Sequence, residues 1–253
     1  MFFSKQISSR AHKARLIAFL THLTLSLSLF AILLAIIYFA WFPHALFEAS
    51  GGLEGITIIA AVDIVLGPLL TLVVYDITKT KWHLVRDIGV ITALQLSCLV
   101  AGTLIVNQAK PIAVVHVYDT FHVISKPDFN SRGIDPSPLT EFTGSYPKIL
   151  YTATETNPIA FLTKSTLDKL NKKIPLQWRL SAYRAIPQNA EEINRILQSS
   201  KAASRECITQ NITSRYTSGT VCFNPNNLIF TDFKEGQSIP LLNKAEIKVQ
   251  TAP

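Results

Sequence analysis

A chain of 253 residues that is 48% apolar and carries a formal net charge of +7 has room either for one large soluble domain or for a small membrane bundle joined to a soluble part. The distribution excludes the first, because the long apolar runs fall almost wholly before Asn107 and the remainder reads as an ordinary soluble chain. A nucleic-acid binder is also disfavoured: the 17 Lys and Arg from Asn107 onward, against 12 Asp and Glu, are scattered among apolar residues and form no arginine-rich stripe.

Residues 1–15 carry Lys5, Arg10, Lys13 and Arg15 and no acid, and read as a basic cytoplasmic leader. Residues 16–42 follow without a charge, and 27 residues at 1.5 Å each make a helix of roughly 40 Å, more than the roughly 30 Å hydrocarbon core requires. The run is about twice the length of a signal peptide's apolar region, and no small-x-small cleavage site follows it, so it is expected to be an uncleaved anchor. Residues 56–75 form a second candidate despite Asp63 and Pro68. Twelve Ile, Leu and Val at about −0.5 kcal/mol each outweigh the roughly +3 kcal/mol of one mid-helix aspartate. Residues 88–106 make the third. The expected organisation is therefore a three-helix transmembrane domain over residues 16–106 and a periplasmic α+β domain over residues 107–253.

Orientation follows from the short flanks, since Lys and Arg are held on the cytoplasmic side. The leader has four such residues, the loop 43–55 has none, and the loop 76–87 has Lys79, Lys81 and Arg86. All three flanks agree on a cytoplasmic N-terminus and an extracytoplasmic domain. Trp41, Phe42 and Tyr75 lie at the ends of these segments, where interfacial aromatics are found.

Beyond Pro111 the hydrophobic period shortens. Residues 112–117 and 121–124 are short β-branched runs joined around Tyr118, Asp119 and Thr120, a hairpin or two successive strands. Residues 126–147, rich in Pro, Ser and Gly, read as a loop, and residues 149–154 as another strand. A helix is expected over about 189–202, with Pro187 before it, Glu191 and Glu192 in its first turn, and Ile193, Ile196 and Leu197 as its buried stripe. Strands over 220–223 and 228–231 flank the turn residues Asn224, Pro225, Asn226 and Asn227. Cys207 and Cys222 both fall in the part placed outside, where either a disulfide or two buried free thiols fits the pattern. Cys98, in the third span, is read as packing.

The chemistry-bearing motifs are sparse. The six histidines form no metal-spaced cluster on one element, and the sequence holds no H-E-x-x-H, G-x-S-x-G, phosphate-cradling glycine loop, dinucleotide fingerprint or C-x-x-C. No catalytic residue, metal site or cofactor is assigned. The costly residue is Asp63, which seven steps of 1.5 Å from Ile56 place about 10 Å deep in the second span. Intramembrane carboxylates face a bundle interior or a wet cavity and mark function by default. By depth Tyr38, Ser97 and Gln95 are the expected partners and His22 a poor one. Pro68 frees the carbonyl of Ile64 and is expected to kink the helix, and Gly67 opens room at the bend for another backbone. Asp63 then has three readings: it binds the three helices together, it meets a partner's transmembrane helix, or it lines an ion or proton path.

These residues carry a resemblance. Tyr38-Phe39-Ala40-Trp41-Phe42-Pro43, then Gly51-Gly52, then Gly55-Ile56 leading into Val62-Asp63 and Leu66-Gly67-Pro68-Leu69-Leu70-Thr71, followed by Pro111, Ala113-Val114-Val115 and Asp119-x-Phe121, resemble the TfpX/TfpZ family of type IV pilin accessory proteins. The likeness covers roughly the first half of the chain, and D-x-x-x-G-P-x-L-T in the second span is its most specific part. Thr120 stands where an arginine is expected. The resemblance implies a multi-pass protein of the bacterial inner membrane, not an enzyme, that assists a cognate type IV pilin in stability or assembly. Its expected partners are that pilin, the lipid bilayer and other pilus assembly proteins. Asp63, Gly67, Pro68 and Thr71 are then the expected contacts for the pilin's helix. The alternative from another class is a membrane-anchored periplasmic ligand-binding or sensor protein.

Overall fold

The computed structural model describes residues 2–76, 78–152, 167, 174–197 and 207–237, and the chain divides into two compact units, Met1–Pro43 with Gly52–Gln108 and His44–Gly51 with Ala109–Pro253. The first unit is helical. Helix α1 (Phe2–Ile36) runs on into a π-helical turn over Ile37–Trp41, closed by the Phe42 amide donating to the Ile37 carbonyl at 2.9 Å. The second apolar helix is built from α3 (Gly52–Ala60), a π segment (Ala61–Leu66) and α4 (Gly67–Val74), and α5 (Lys81–Ala109) completes the unit. Three stretches, Ala11–Trp41, Gly55–Val74 and Lys81–Ala109, are long and apolar enough to cross a membrane.

The break in the second helix has a chemical cause. Pro68 brings no amide hydrogen to the carbonyl of Ile64, and the ladder widens just ahead of it so that the Gly67 amide donates back to Val62, five residues earlier. The expected proline disturbance is thus a π segment holding Asp63. Glycines let α5 come close. A Cβ on Gly102 would lie 2.7 Å from Ile59 Cγ1, and one on Gly55 would lie 3.1 Å from Val106 Cγ2. At Gly67 the space is filled by a side chain, Gln95, and not by another backbone as the sequence suggested: an added Cβ would sit 1.8 Å from Gln95 Nε2.

The second unit is a mixed seven-stranded sheet in the order β4-β3-β1-β2-β5-β6-β7. Its strands are β1 (Pro111–Val117), β2 (Thr120–Ser125), β3 (Lys148–Thr152), β4 (Tyr183–Ala185), β5 (Ile208–Thr213), β6 (Ser218–Asn224) and β7 (Ile229–Glu235). The pairs β1–β2, β5–β6 and β6–β7 are antiparallel hairpins, whereas β3 joins β1 and β5 joins β2 in parallel. The sheet is covered on both faces, which explains why β1 reads as a continuous apolar run. Val114, Phe121, Val123, Ile212, Val221, Phe223 and Phe230 line one core, and Ala113, Val115, Val117, Ile124 and Leu150 line the other with Phe129, Leu139 and Tyr183.

Helix α7 (Ala190–Ile196) supplies Ile193 to the first core, with Leu197 just beyond its end, and Asn189 caps its start by accepting a hydrogen bond from the Glu191 amide at 2.8 Å. The remainder of the helix expected over 189–202, and the last two residues of the strand expected over 149–154, lie outside the described residues. The segment 126–147 is not all loop. Helix α6 (Lys126–Asn130) opens it, because Asp128 Oδ2 accepts from the Ser125 amide at 3.0 Å and from the Ser125 hydroxyl at 2.6 Å, and Pro127 suits a first helical turn.

A further element was not foreseen. The short helix α2 (Leu46–Ala49), in the link between the first two apolar helices, belongs to the sheet unit. Leu46 and Ala49 are buried in the first core, the Ala45 amide donates to the Phe230 carbonyl at 3.2 Å, and the Thr217 hydroxyl donates to the Ala49 carbonyl at 2.9 Å.

Candidate functional site

Within the helical unit a cavity of about 610 Å³ opens between α1 and α5. One wall is a stripe of α1 that includes Ile17, Thr21, Leu25 and Leu29, and the other is a stripe of α5 that includes Ile88, Thr92, Leu96 and Leu99. Both follow the three-to-four-residue spacing of one helix face. The second apolar helix contributes Asp63 and Thr71.

Asp63 is only 6% exposed, and neither carboxylate oxygen has a hydrogen-bond partner among the described residues. Gln95 is the one expected neighbour that arrives, but its Nε2 donates at 3.2 Å to the main-chain carbonyl of Asp63 and not to the carboxylate. Gln95 Oε1, in a residue 8% exposed, is likewise without a donor. Ser97 turns to its own helix and donates to the Ala93 carbonyl at 2.8 Å. Neither Tyr38 nor Ser97 therefore hydrogen-bonds the carboxylate.

His22, set aside on depth, does reach the second helix. Its Nδ1 and Thr71 Oγ1 share a hydrogen bond at 2.6 Å, and Thr71 Oγ1 also lies 3.2 Å from the Gly67 carbonyl. Gly67, Pro68 and Thr71 are all buried within the unit. Of the four residues expected to meet a partner helix, Asp63 and Thr71 line the cavity, while Gly67 and Pro68 pack inside. At the end of the unit that carries the basic flanks, Arg15 donates to the Tyr75 carbonyl at 2.8 Å and pairs with Asp76 at 2.9 Å. Hydrogen bonds from the Thr78 amide and hydroxyl, helped by Arg15, hold the Asp76 carboxyl below the usual carboxylate range.

The sheet unit has a smaller cavity of about 340 Å³, whose polar lining includes His122, Asp128, Arg132, Trp178 and Arg215. The Arg132 guanidinium stacks 3.7 Å from the Trp178 ring centre and donates to the Asp128 carbonyl at 2.8 Å. Burial pulls the His122 imidazole down to about 4, so it is neutral at neutral pH. None of this was readable beforehand, since the residues converge from four separate elements. Cys207, just before β5, and Cys222, on β6, are joined by a disulfide, with Cα atoms 5.4 Å apart.

Three helices long and apolar enough to cross a membrane are joined to a mixed-sheet α+β domain, and comparison with known proteins gives the chain a family. The fimbrial assembly protein of serogroups C1 and C2 from Dichelobacter nodosus is 32% identical over 107 residues, 42% of this chain and 82% of that protein. The serogroup I and serogroup E1 fimbrial assembly proteins of the same organism are 32% and 30% identical over 121 residues, 48% of this chain and 47% of each relative. The chain belongs to the family of fimbrial assembly proteins. It spans about half the length of the serogroup I and E1 relatives. No family model matches it, and no solved structure does.

Proposed function

We propose that this protein is a type IV pilin accessory protein of the TfpX/TfpZ kind, seated in the bacterial inner membrane, that helps a cognate pilin to remain stable or to be assembled. In this reading its three apolar helices cross the bilayer, its N-terminus faces the cytoplasm and its sheet domain faces the periplasm. The observation that carries the topology is the burial of Leu46 and Ala49 in the core of the sheet unit. The link between the first and second spans and the domain after the third must share one side of the membrane. An odd number of crossings allows that, and the basic flanks favour the periplasm. Membership among fimbrial assembly proteins and the D-x-x-x-G-P-x-L-T segment support the pilus role.

A pilin awaiting assembly offers a membrane helix and an external head, and this chain has a counterpart for each: the helical unit around Asp63 and the basic domain. The task needs binding surfaces and no bond chemistry. Affinity purification of the full chain from membranes tests it, with pilin expected to co-elute and with Asp63→Ala expected to lower piliation more than it lowers this protein's own level. Equal losses would return Asp63 to a purely structural role. A periplasmic reporter inserted after Gly236 should be active, and one inserted at Thr78 inactive.

The polar cavity of the sheet unit favours a second reading, a membrane-anchored periplasmic ligand-binding protein. Failure of pilin to co-elute, together with a shift of Trp178 emission on adding acetate or phosphate, would select it.

A further inference from the structure

The groove between α1 and α5 leaves buried polar atoms unmet among the described residues. Its floor and one wall hold three acceptor atoms, Asp63 Oδ1, Asp63 Oδ2 and Gln95 Oε1, all buried and all without a donor among the described residues. Acceptors left in this state are costly in any apolar setting, and in hydrocarbon water does not relieve them. The upper walls are in the opposite condition: Ile17 is 64% and Leu25 66% exposed, although both line the cavity. From Ala14 to Leu29 the α1 wall covers 16 residues, about 22 Å or four turns of helix.

Two parallel stripes at helical spacing with polar groups between them fit one face of a further helix. A helix is also the element that can carry a donor into hydrocarbon with its own backbone satisfied. A lipid chain fills such a groove but has nothing to give Asp63. We infer that the groove seats a membrane-spanning helix of the partner, and that this helix presents a hydroxyl, amide or ammonium group to Asp63 and Gln95. The inference rests on the pilin reading above, which supplies the occupant: the pilin's own membrane helix.

The test is photo-crosslinking in intact membranes that hold the full chain and its cognate pilin, with the reactive group at Leu25 or Leu96 on the walls and at Val90, 64% exposed and outside the cavity on the other side of α5, as the control. Pilin adducts should form from the walls and not from Val90. They should fall about tenfold with Asp63→Leu, as expected for one lost hydrogen bond to a charged or strongly polar group, and less with Asp63→Asn, which keeps an acceptor. Mapping should find a donor-bearing pilin residue within one turn of the position that reacts with Leu96.

Equal adducts from walls and control, lipid adducts alone, or a yield indifferent to Asp63→Leu at an unchanged protein level would each overturn the groove. Pilin that co-purifies without a wall adduct overturns the groove and leaves the pilin reading intact. Asp63-dependent wall adducts to a membrane helix of a different identified protein keep the groove and overturn pilin as its occupant.

Discussion

Along β1, Val114 enters one core while Ala113 and Val115 enter the other; along α1, Ile17, Leu25 and Ile32 remain at the surface while His22 turns inward to Thr71. The sheet unit hides its apolar side chains. The helical unit displays most of its own, keeping a few such as Ile59 and Val106 inside, and hides Asp63, Thr71 and Gln95. The same hydrophobic effect produces both, because the environment that each unit meets is different. One consequence concerns where damage is felt: packing should dominate the stability of the sheet unit, whereas unmet polar groups should dominate recognition by the helical one.

The sharpest way to break this comparison is a pair of truncations. Phe223→Ala, in the sheet core, should cost about 3–5 kcal/mol of domain stability, and Leu46→Ala should cost about 2–5 kcal/mol although Leu46 lies between two apolar helices. Leu94→Ala, on the exposed flank of α5, should stay within about 0.5 kcal/mol. Denaturation of the full chain in detergent, followed by the emission of Trp41, Trp82 and Trp178 together, reads all three. A Leu46→Ala effect as small as that of Leu94→Ala would detach α2 from the domain.

Next in size is the cystine. Opening a loop of 15 residues by Cys207→Ser with Cys222→Ser should remove about 3 kcal/mol from the sheet unit. Non-reducing electrophoresis of protein taken from membranes should show the bridge, and an unchanged midpoint on adding reductant would deny it a stabilising role.

A smaller effect is expected from pH. His122 titrates near 4 in the folded domain and near 6.5 when unfolded, so between these values the unfolded chain binds the extra proton. Its contribution is whole above about pH 6.5 and is lost as pH falls toward 4. His122→Gln should flatten that part of the stability curve. Asp128, Arg132 and Arg215 line the same cavity. Smallest of all, Arg15→Gln should leave the denaturation midpoint unmoved, since the Arg15–Asp76 pair is partly exposed and salt-screened.

Much of the plan was legible in one dimension. Uncharged runs longer than a bilayer needs, a lone buried-looking carboxylate beside Gly67-Pro68, and Lys and Arg confined to alternate flanks are local properties, so residue order alone announces them. The β1–β2 and β6–β7 hairpins were legible for the same reason, with short alternating runs beside turn residues. The capping pair Ser125 and Asp128 was also present to be read, but the prolines around it concealed a helix of five residues.

Residue order by itself determined which segments seek hydrocarbon and which seek water, because transfer free energy is a sum over local side chains. Tertiary structure alone decided who meets whom: that β5 runs parallel beside β2, that Gln95 fills the space at Gly67, that His22 pairs with Thr71 while the Asp63 carboxylate finds no donor among the described residues, and that α2 joins the sheet core. Those outcomes depend on helix rotation and on long-range packing. Neither has a signature at the spacing of neighbouring residues.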